Sequence, residues 1–311
     1  MKTITNHVMG REDWLLLVFL SVLWGGSFFF AKVALRDVPP LTFVLGRVAL
    51  AALALNVVVR LSGAGLPSGG VAWRDFFTMG ALNNVLPFAL LSWALTEIPS
   101  GLGAILNAAT PLFTVLVAHW LTADERVTPA RLAGILVGLA GVAVLVGLDA
   151  ASGLGRHILA DLAAIGATIL YAFAGIFGRR FRGRPPLVTA AGQLTASTIM
   201  ALPVVLLIDR PWALPLPGIA TWSAMVGAAL LSTALGYVIY FRVLATAGAT
   251  NLLLVTFLMP VSALLLGMLF LGEHLALSHF LGMVLIGLGL AAIDGRPLAY
   301  LRLPAPRVKS G

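Results

Sequence analysis

The sequence predicts an all-α integral membrane protein of ten transmembrane helices, built as two inverted five-helix repeats around a central cavity. Three observations predict it. Hydrophobic residues make up 60% of the 311 positions, charged residues only 10%, and the mean hydropathy is +1.01, which excludes an ordinary soluble domain. Ten apolar stretches each approach the roughly 20 residues needed to cross a hydrocarbon core, and none shows the alternation of a β-barrel. Finally, the chain repeats itself at an offset of 146–149 residues.

The elements follow in order. Residues 1–13 read as a cytoplasmic N-terminus. The first repeat, 14–148, holds apolar stretches at 14–34, 41–61, 75–95, 100–121 and 128–148. The first stretch is too long for a signal-peptide core and no small-residue cleavage site follows it, so it is expected to remain as a helix. Residues 149–156 form a linker. The second repeat, 157–294, holds stretches at 157–178, 187–208, 220–244, 248–271 and 278–294, and 295–311 is a cytoplasmic tail. Five helices per copy turn the second copy upside down in the bilayer. Carriers that expose one midplane site alternately to the two sides are built this way.

Charge sets the expected orientation. With the N-terminus inside, fifteen of the 20 Lys and Arg residues fall on the cytoplasmic side. Lys32, Arg36, Arg156 and Arg210 fall on the other, and Arg47 lies within a span. This bias places both termini in the cytoplasm of a cell with the protein in its inner (plasma) membrane. The net charge of +8 is thereby explained by insertion, and no nucleic-acid partner is expected. The expected partners are a small-molecule substrate and the lipid bilayer.

The repeat matches residue by residue. Trp24 to Lys32 (WGGSFFFAK) corresponds to Tyr171 to Arg179 (YAFAGIFGR), and Gly46-Arg47 to Gly192-Gln193. Asn83-Asn84, Pro87, Phe88 and Pro111 correspond to Ser232-Thr233, Gly236, Tyr237 and Pro260; Glu125 and Gly134 correspond to Glu273 and Gly282.

Polar groups within the apolar stretches mark the candidate substrate site. Arg47 is the clearly intramembrane charge, and such a charge should face protein or a watery cavity. Two readings stay open: a contact for a substrate carboxylate, or a structural clamp on backbone carbonyls or on Asp37 or Glu97. Asn83, Asn84, Ser232 and Thr233 sit at matching levels, where they either bond neighbouring helices or line a solvated cavity. Thr110 and Thr256 join that level. Pro111 and Pro260 should break the fourth and ninth spans, freeing carbonyls beside protein or a cavity. Trp24, Phe28, Phe88, Trp93, Tyr171, Tyr237 and Tyr240 offer aromatic surface that could stack on a solute. The cavity so drawn is uncharged and aromatic. Gly134, Gly138 and Gly141 share a face that suits scaffold packing, or else a weak homodimer rather than a monomer.

Catalytic chemistry is not indicated. There is no cysteine, and the five histidines are scattered near helix ends without metal-ligand spacing. No phosphate loop or nucleophile elbow is present, so no metal, cofactor or enzymatic activity is expected. An integral-membrane lipid enzyme, the remote alternative, would need clustered catalytic groups at an interface. All twelve acidic residues lie near helix ends or in loops; Asp161, about a turn into the sixth span, comes nearest the membrane interior.

The run Trp24, Lys32, Pro39-Pro40, Arg47, together with the two copies of Pro-x(13)-Glu-x(8)-Gly, or near it (Pro111, Glu125, Gly134; Pro260, Glu273, Gly282), resembles the drug/metabolite transporter superfamily. Within it the chain resembles ten-helix EamA-type members, and bacterial aromatic amino-acid exporters of the YddG kind. The resemblance implies a basket with spans 1, 3, 4, 6, 8 and 9 around the cavity and spans 5 and 10 peripheral. It implies export of amino acids, aromatic or apolar ones favoured, or of similar small metabolites; a drug or another metabolite is the alternative within the superfamily. The second copy departs from the pattern at Tyr171 and Gln193.

Overall fold

The computed structural model describes residues 9–122, 128–151, 155–252, 254–274 and 276–294. Every regular element among them is helical. In the first half these are α1 (Arg11–Ala34), α2 (Pro40–Leu61), α3 (Gly70–Gly80), α4 (Leu86–Glu97), α5 (Ser100–Asn107), α6 (Thr110–Leu121) and α7 (Pro129–Ala151). The second half holds α8 (Gly155–Phe177), α9 (Pro186–Ile208), α10 (Ile219–Val226), α11 (Gly236–Leu252), α12 (Val255–Leu271) and α13 (Leu277–Asp294). Residues Ala81–Val85 form a π-helical turn joining α3 to α4, and Gly227–Leu235 form another joining α10 to α11. Seven helical segments among the described residues are long and apolar enough to cross a membrane: Arg11–Ala34, Pro40–Leu61, Gly70–Glu97, Ser100–Leu121, His157–Phe181, Pro186–Ile208 and Ile219–Gly248. Three shorter apolar helices accompany them, Arg131–Gly147, Val255–Leu271 and His279–Ile293.

Local sequence explains the boundaries. Pro40, Pro111 and Pro186 stand at the first or second position of α2, α6 and α9, where a missing N–H costs nothing. Pro87 instead follows the first π turn within the continuous segment Gly70–Glu97. Gly272 closes α12 with φ of 65°, a left-handed conformation that glycine adopts without strain. Gly248, at φ 81° and ψ 165°, interrupts α11 four residues before its end.

Some expectations need correction. The linker 149–156 is helical at both margins, because α7 runs to Ala151 and α8 starts at Gly155. The fourth span breaks at Ala108-Ala109, just before Pro111, which opens the next helix. Pro260 does not break the ninth span. It lies inside α12, whose N-cap is Leu254, and Gly248 is the interruption that precedes it. Phe28 is buried in the core and leaves little ring surface free, whereas Trp93 is 40% exposed. Glu125 and the tail 295–311 lie outside the described residues.

Packing follows the repeat. The two copies meet where α2 packs on α9, while α7 packs on α13 at another face. Glycine permits the close approach of α10 to α2, of α3 to α9 and of α13 to α7. A Cβ at Gly46 would crowd Met225, and one at the matching Gly192 would crowd Phe76, the residue that matches Met225. Gly134 faces Gly289 and Gly141 faces Gly282, so the glycine face of α7 is covered by α13 of the same chain.

One end of the bundle is tied across the two halves by carboxylates. The N-caps of α2, α5 and α10 are Pro39, Pro99 and Gly218, none with a capping side chain. Their orphan N–H groups need acceptors from elsewhere. Asp209 accepts from the Thr42 N–H at 2.8 Å and its hydroxyl at 2.7 Å. Glu273 accepts from the Ser100 N–H at 2.8 Å, its hydroxyl at 2.7 Å and the Gly101 N–H at 3.4 Å. Asp37 accepts from the Thr221 hydroxyl at 2.6 Å and the Gly218 N–H at 3.1 Å. Those two bonds, the Thr221 hydroxyl first, hold the Asp37 carboxyl below its usual value of 3.8. Its tie is therefore complete above that pH and fades only as the pH falls below it. Each tie joins one half to the other. At this same end Lys32 donates to the Leu95 and Ile98 carbonyls, at 2.6 and 2.8 Å, closing the C-terminus of α4.

Candidate substrate site between the halves

The two π turns occupy matching positions, and each carries the polar pair singled out from the sequence. A π turn widens the helix and is common at functional sites. The first supplies Asn83 and Asn84, the second Ser232 and Thr233. Helices α2 and α9 run beside them and contribute Arg47 and Gln193.

These groups form two linked pairings. Asn83 Nδ2 donates to Tyr237 Oη at 2.8 Å and lies 3.3 Å from Gln193 Oε1. Tyr237 Oη donates to Asn84 Oδ1 at 3.3 Å, and Asn84 Nδ2 donates to Ser197 Oγ at 3.1 Å. On the other side Arg47 Nε donates to Thr233 Oγ1 at 2.9 Å, and that hydroxyl donates to the Ala228 carbonyl at 2.8 Å. The pairings correspond under the repeat: Arg47 of α2 meets the second π turn, and its counterpart Gln193 of α9 meets the first.

The guanidinium of Arg47 lies 3.9 Å over the Phe88 ring, an arrangement that favours a cation on the π face. Tyr171 and Tyr237 are within its electrostatic reach. No carboxylate pairs with it among the described residues; Asp37 is engaged by α10, and Glu97 makes no ion pair there. Arg47, Asn83, Tyr171 and Tyr237 are surrounded by protein yet keep part of their surface accessible. Arg47, an open question in the sequence, thus stands in the same cluster as the aromatic residues expected to line an uncharged cavity.

Aromatic packing extends the cluster. Trp24 lies 5.6 Å from Tyr240, and Tyr237 stacks on Phe241 with centroids 6.2 Å apart. Trp24 reaches this position because residue 236 is glycine; a Cβ there would stand 2.8 Å from the indole nitrogen.

Of the residues singled out from sequence, Arg47, Asn83, Asn84, Phe88, Tyr171, Thr233 and Tyr237 come together, with Trp24 adjoining. Thr110 sits apart, its hydroxyl donating to the Asn107 carbonyl at 2.7 Å across the α5–α6 break. Ser232 is fully buried and its hydroxyl lacks a partner among the described residues. Thr256 is the second residue of α12. Gln193 and Ser197 were missed as site residues. Their signal was present: two polar side chains four apart in the apolar run of α9, on one helical face. No group of three His, Cys, Asp or Glu suited to a metal occurs among the described residues.

Known proteins share this architecture. The model of the EamA-like transporter family matches twice, at residues 13–147 and 158–293. An uncharacterized transporter, YvbV of Bacillus subtilis, is 28% identical over 295 residues, covering 92% of each chain. A probable amino-acid metabolite efflux pump of Escherichia coli is 27% identical, covering 91% of this chain and 94% of its own. A solved structure superposes with a TM-score of 0.66 at 22% identity, over 94% of this chain and 100% of the other, which is a likeness of fold.

Proposed function

Because the chain belongs to the EamA-like transporter family, a family of multi-pass membrane transporters, we propose that it is an inner-membrane carrier that exports amino acids, aromatic or apolar ones above all, or closely similar small metabolites. In this reading the three shorter apolar helices also cross the bilayer. Ten spans then form two inverted repeats, 14–148 and 157–294, both termini are cytoplasmic and the chain acts as a monomer. The observation that carries the proposal is the cluster of Arg47, Asn83, Tyr171 and Tyr237. It is polar and aromatic at once, and both halves contribute to it. A site built by both halves can face either side when they rock against each other. The relative named as an amino-acid metabolite efflux pump supports amino acids as the cargo and export as the direction.

The test is counterflow in proteoliposomes. Vesicles loaded with unlabelled phenylalanine, tryptophan or leucine should transiently accumulate the same labelled amino acid, with saturation. Alanine at Asn83 or Tyr237 should lower that flux at unchanged expression and folding. A pore would show neither saturation nor counterflow, and an absence of flux for the whole panel would reject this cargo.

A further inference from the structure

We infer that Arg47 reads the carboxylate of the substrate, and that the site does not read an amine by charge. The cargo class is then small monocarboxylates with an apolar or aromatic body, of which amino acids are one case. This rests on the carrier reading above and narrows it.

The donor inventory of Arg47 carries the inference. A guanidinium holds five N–H donors in a rigid fork. The Nε–H is used by Thr233, and the ring of Phe88 lies against one face. Neither terminal nitrogen has a hydrogen-bond partner among the described residues. The two contacts fix the plane and leave the outer edge free, which is the edge that takes a carboxylate through two parallel bonds. This protein does pair arginine where an acid is at hand: Arg180 and Arg184 lie 3.5 and 3.8 Å from Asp75. Acids at the end of the bundle nearer Arg47 are already engaged as helix caps. A charge inside a membrane-spanning segment faces protein or a watery cavity and marks a functional site by default.

The matching pole is neutral. Gln193 occupies the position of Arg47 in the second copy, and its Oε1 lies 3.3 Å from Asn83 Nδ2. An ammonium group placed there meets amide and phenol oxygens but no acid. Asp161 stands ten residues before Tyr171 on α8, about 15 Å along that axis. Trp24, Tyr171 and Tyr240 are each only partly buried, and their rings are the surface this reading assigns to the body of the substrate.

Competition against labelled phenylalanine counterflow tests this, using the full chain in proteoliposomes. 3-Phenylpropanoate keeps the carboxylate and lacks the amine; 2-phenylethylamine does the reverse. The acid should compete within about threefold of phenylalanine, and the amine at least about tenfold more weakly, the scale of one charge-assisted pair. Arg47→Gln should raise KM about tenfold and erase the preference for the acid, while Arg47→Lys should retain part of it. Equal competition by acid and amine would overturn the assignment while leaving the carrier intact. So would an Arg47→Gln protein that keeps the wild-type preference. If that variant does not fold, the competition series on the unaltered protein decides alone. Absence of counterflow by any compound removes the carrier reading, and this one with it.

Discussion

At Gly289 a Cβ would stand 2.5 Å from the Gly134 carbonyl oxygen and 2.6 Å from the Gly138 nitrogen. Backbone cannot yield as a side chain can, so Gly289→Ala must push α13 away from α7. Overpacking of this kind costs about 1–3 kcal/mol. Gly287, two residues earlier, has nothing within 4 Å of such a Cβ. Thermal unfolding in detergent should therefore show Gly289→Ala clearly less stable and Gly287→Ala close to the parent. Equal midpoints would contradict the close approach of these helices. The glycine stripe on α7 was readable from spacing alone, but its occupant was not. Spacing reports which face is small and says nothing of which helix lies on it. Arg47 shows the same limit. The sequence marked it as an intramembrane charge, yet its partners, Thr233 and Phe88, are 186 and 41 residues away and no local pattern joins them.

Among elements, the helix ends are where sequence reasoning was weakest. The apolar lengths foretold the long helices, but Pro111 reads in the sequence as a mid-span break, and Pro40 and Pro186 do not read as the helix starts they are. The interhelical caps could not be foretold, since Asp37, Asp209 and Glu273 look in the sequence like ordinary loop acids. In the fold each satisfies a helix whose own N-cap residue cannot. Replacing Asp209 by alanine leaves the Thr42 N–H and hydroxyl without that acceptor. A lost N-terminal cap costs about 0.5–2 kcal/mol, and the unfolding midpoint should fall accordingly. Asp209→Asn keeps one acceptor oxygen and should recover part of the loss. A midpoint unchanged in Asp209→Ala would show that water replaces the cap. The π turns were equally hidden, because nothing in the composition of Ala81–Val85 or Gly227–Leu235 separates them from an α-helix; what the sequence did show was their polar pairs.

Over the whole molecule, the three caps and the Lys32 contact gather at one end, and the arginine-rich segment at Arg179–Arg184 lies at the other. If both termini are cytoplasmic, the tied end faces outward. The chain has no cysteine, so single cysteines can be introduced and labelled with an impermeant thiol reagent. A cysteine at Arg182 should stay unlabelled from outside and one at Leu216 should label; the reverse pattern would invert the topology. Cysteines at both Thr42 and Asp209, joined by a short bifunctional reagent, should stop counterflow, since the outer end could no longer part. Flux that survives complete joining would show that this end need not open. The frame is doubled, but the chemistry at its centre is not: one copy holds Arg47 where the other holds Gln193, on helices that pack against each other. Two identical chains meeting in this way would bring two like charges to one place. Joining both copies in a single polypeptide frees each from the other's mutations, so one descendant of a duplicated gene can keep the arginine while its sister discards it.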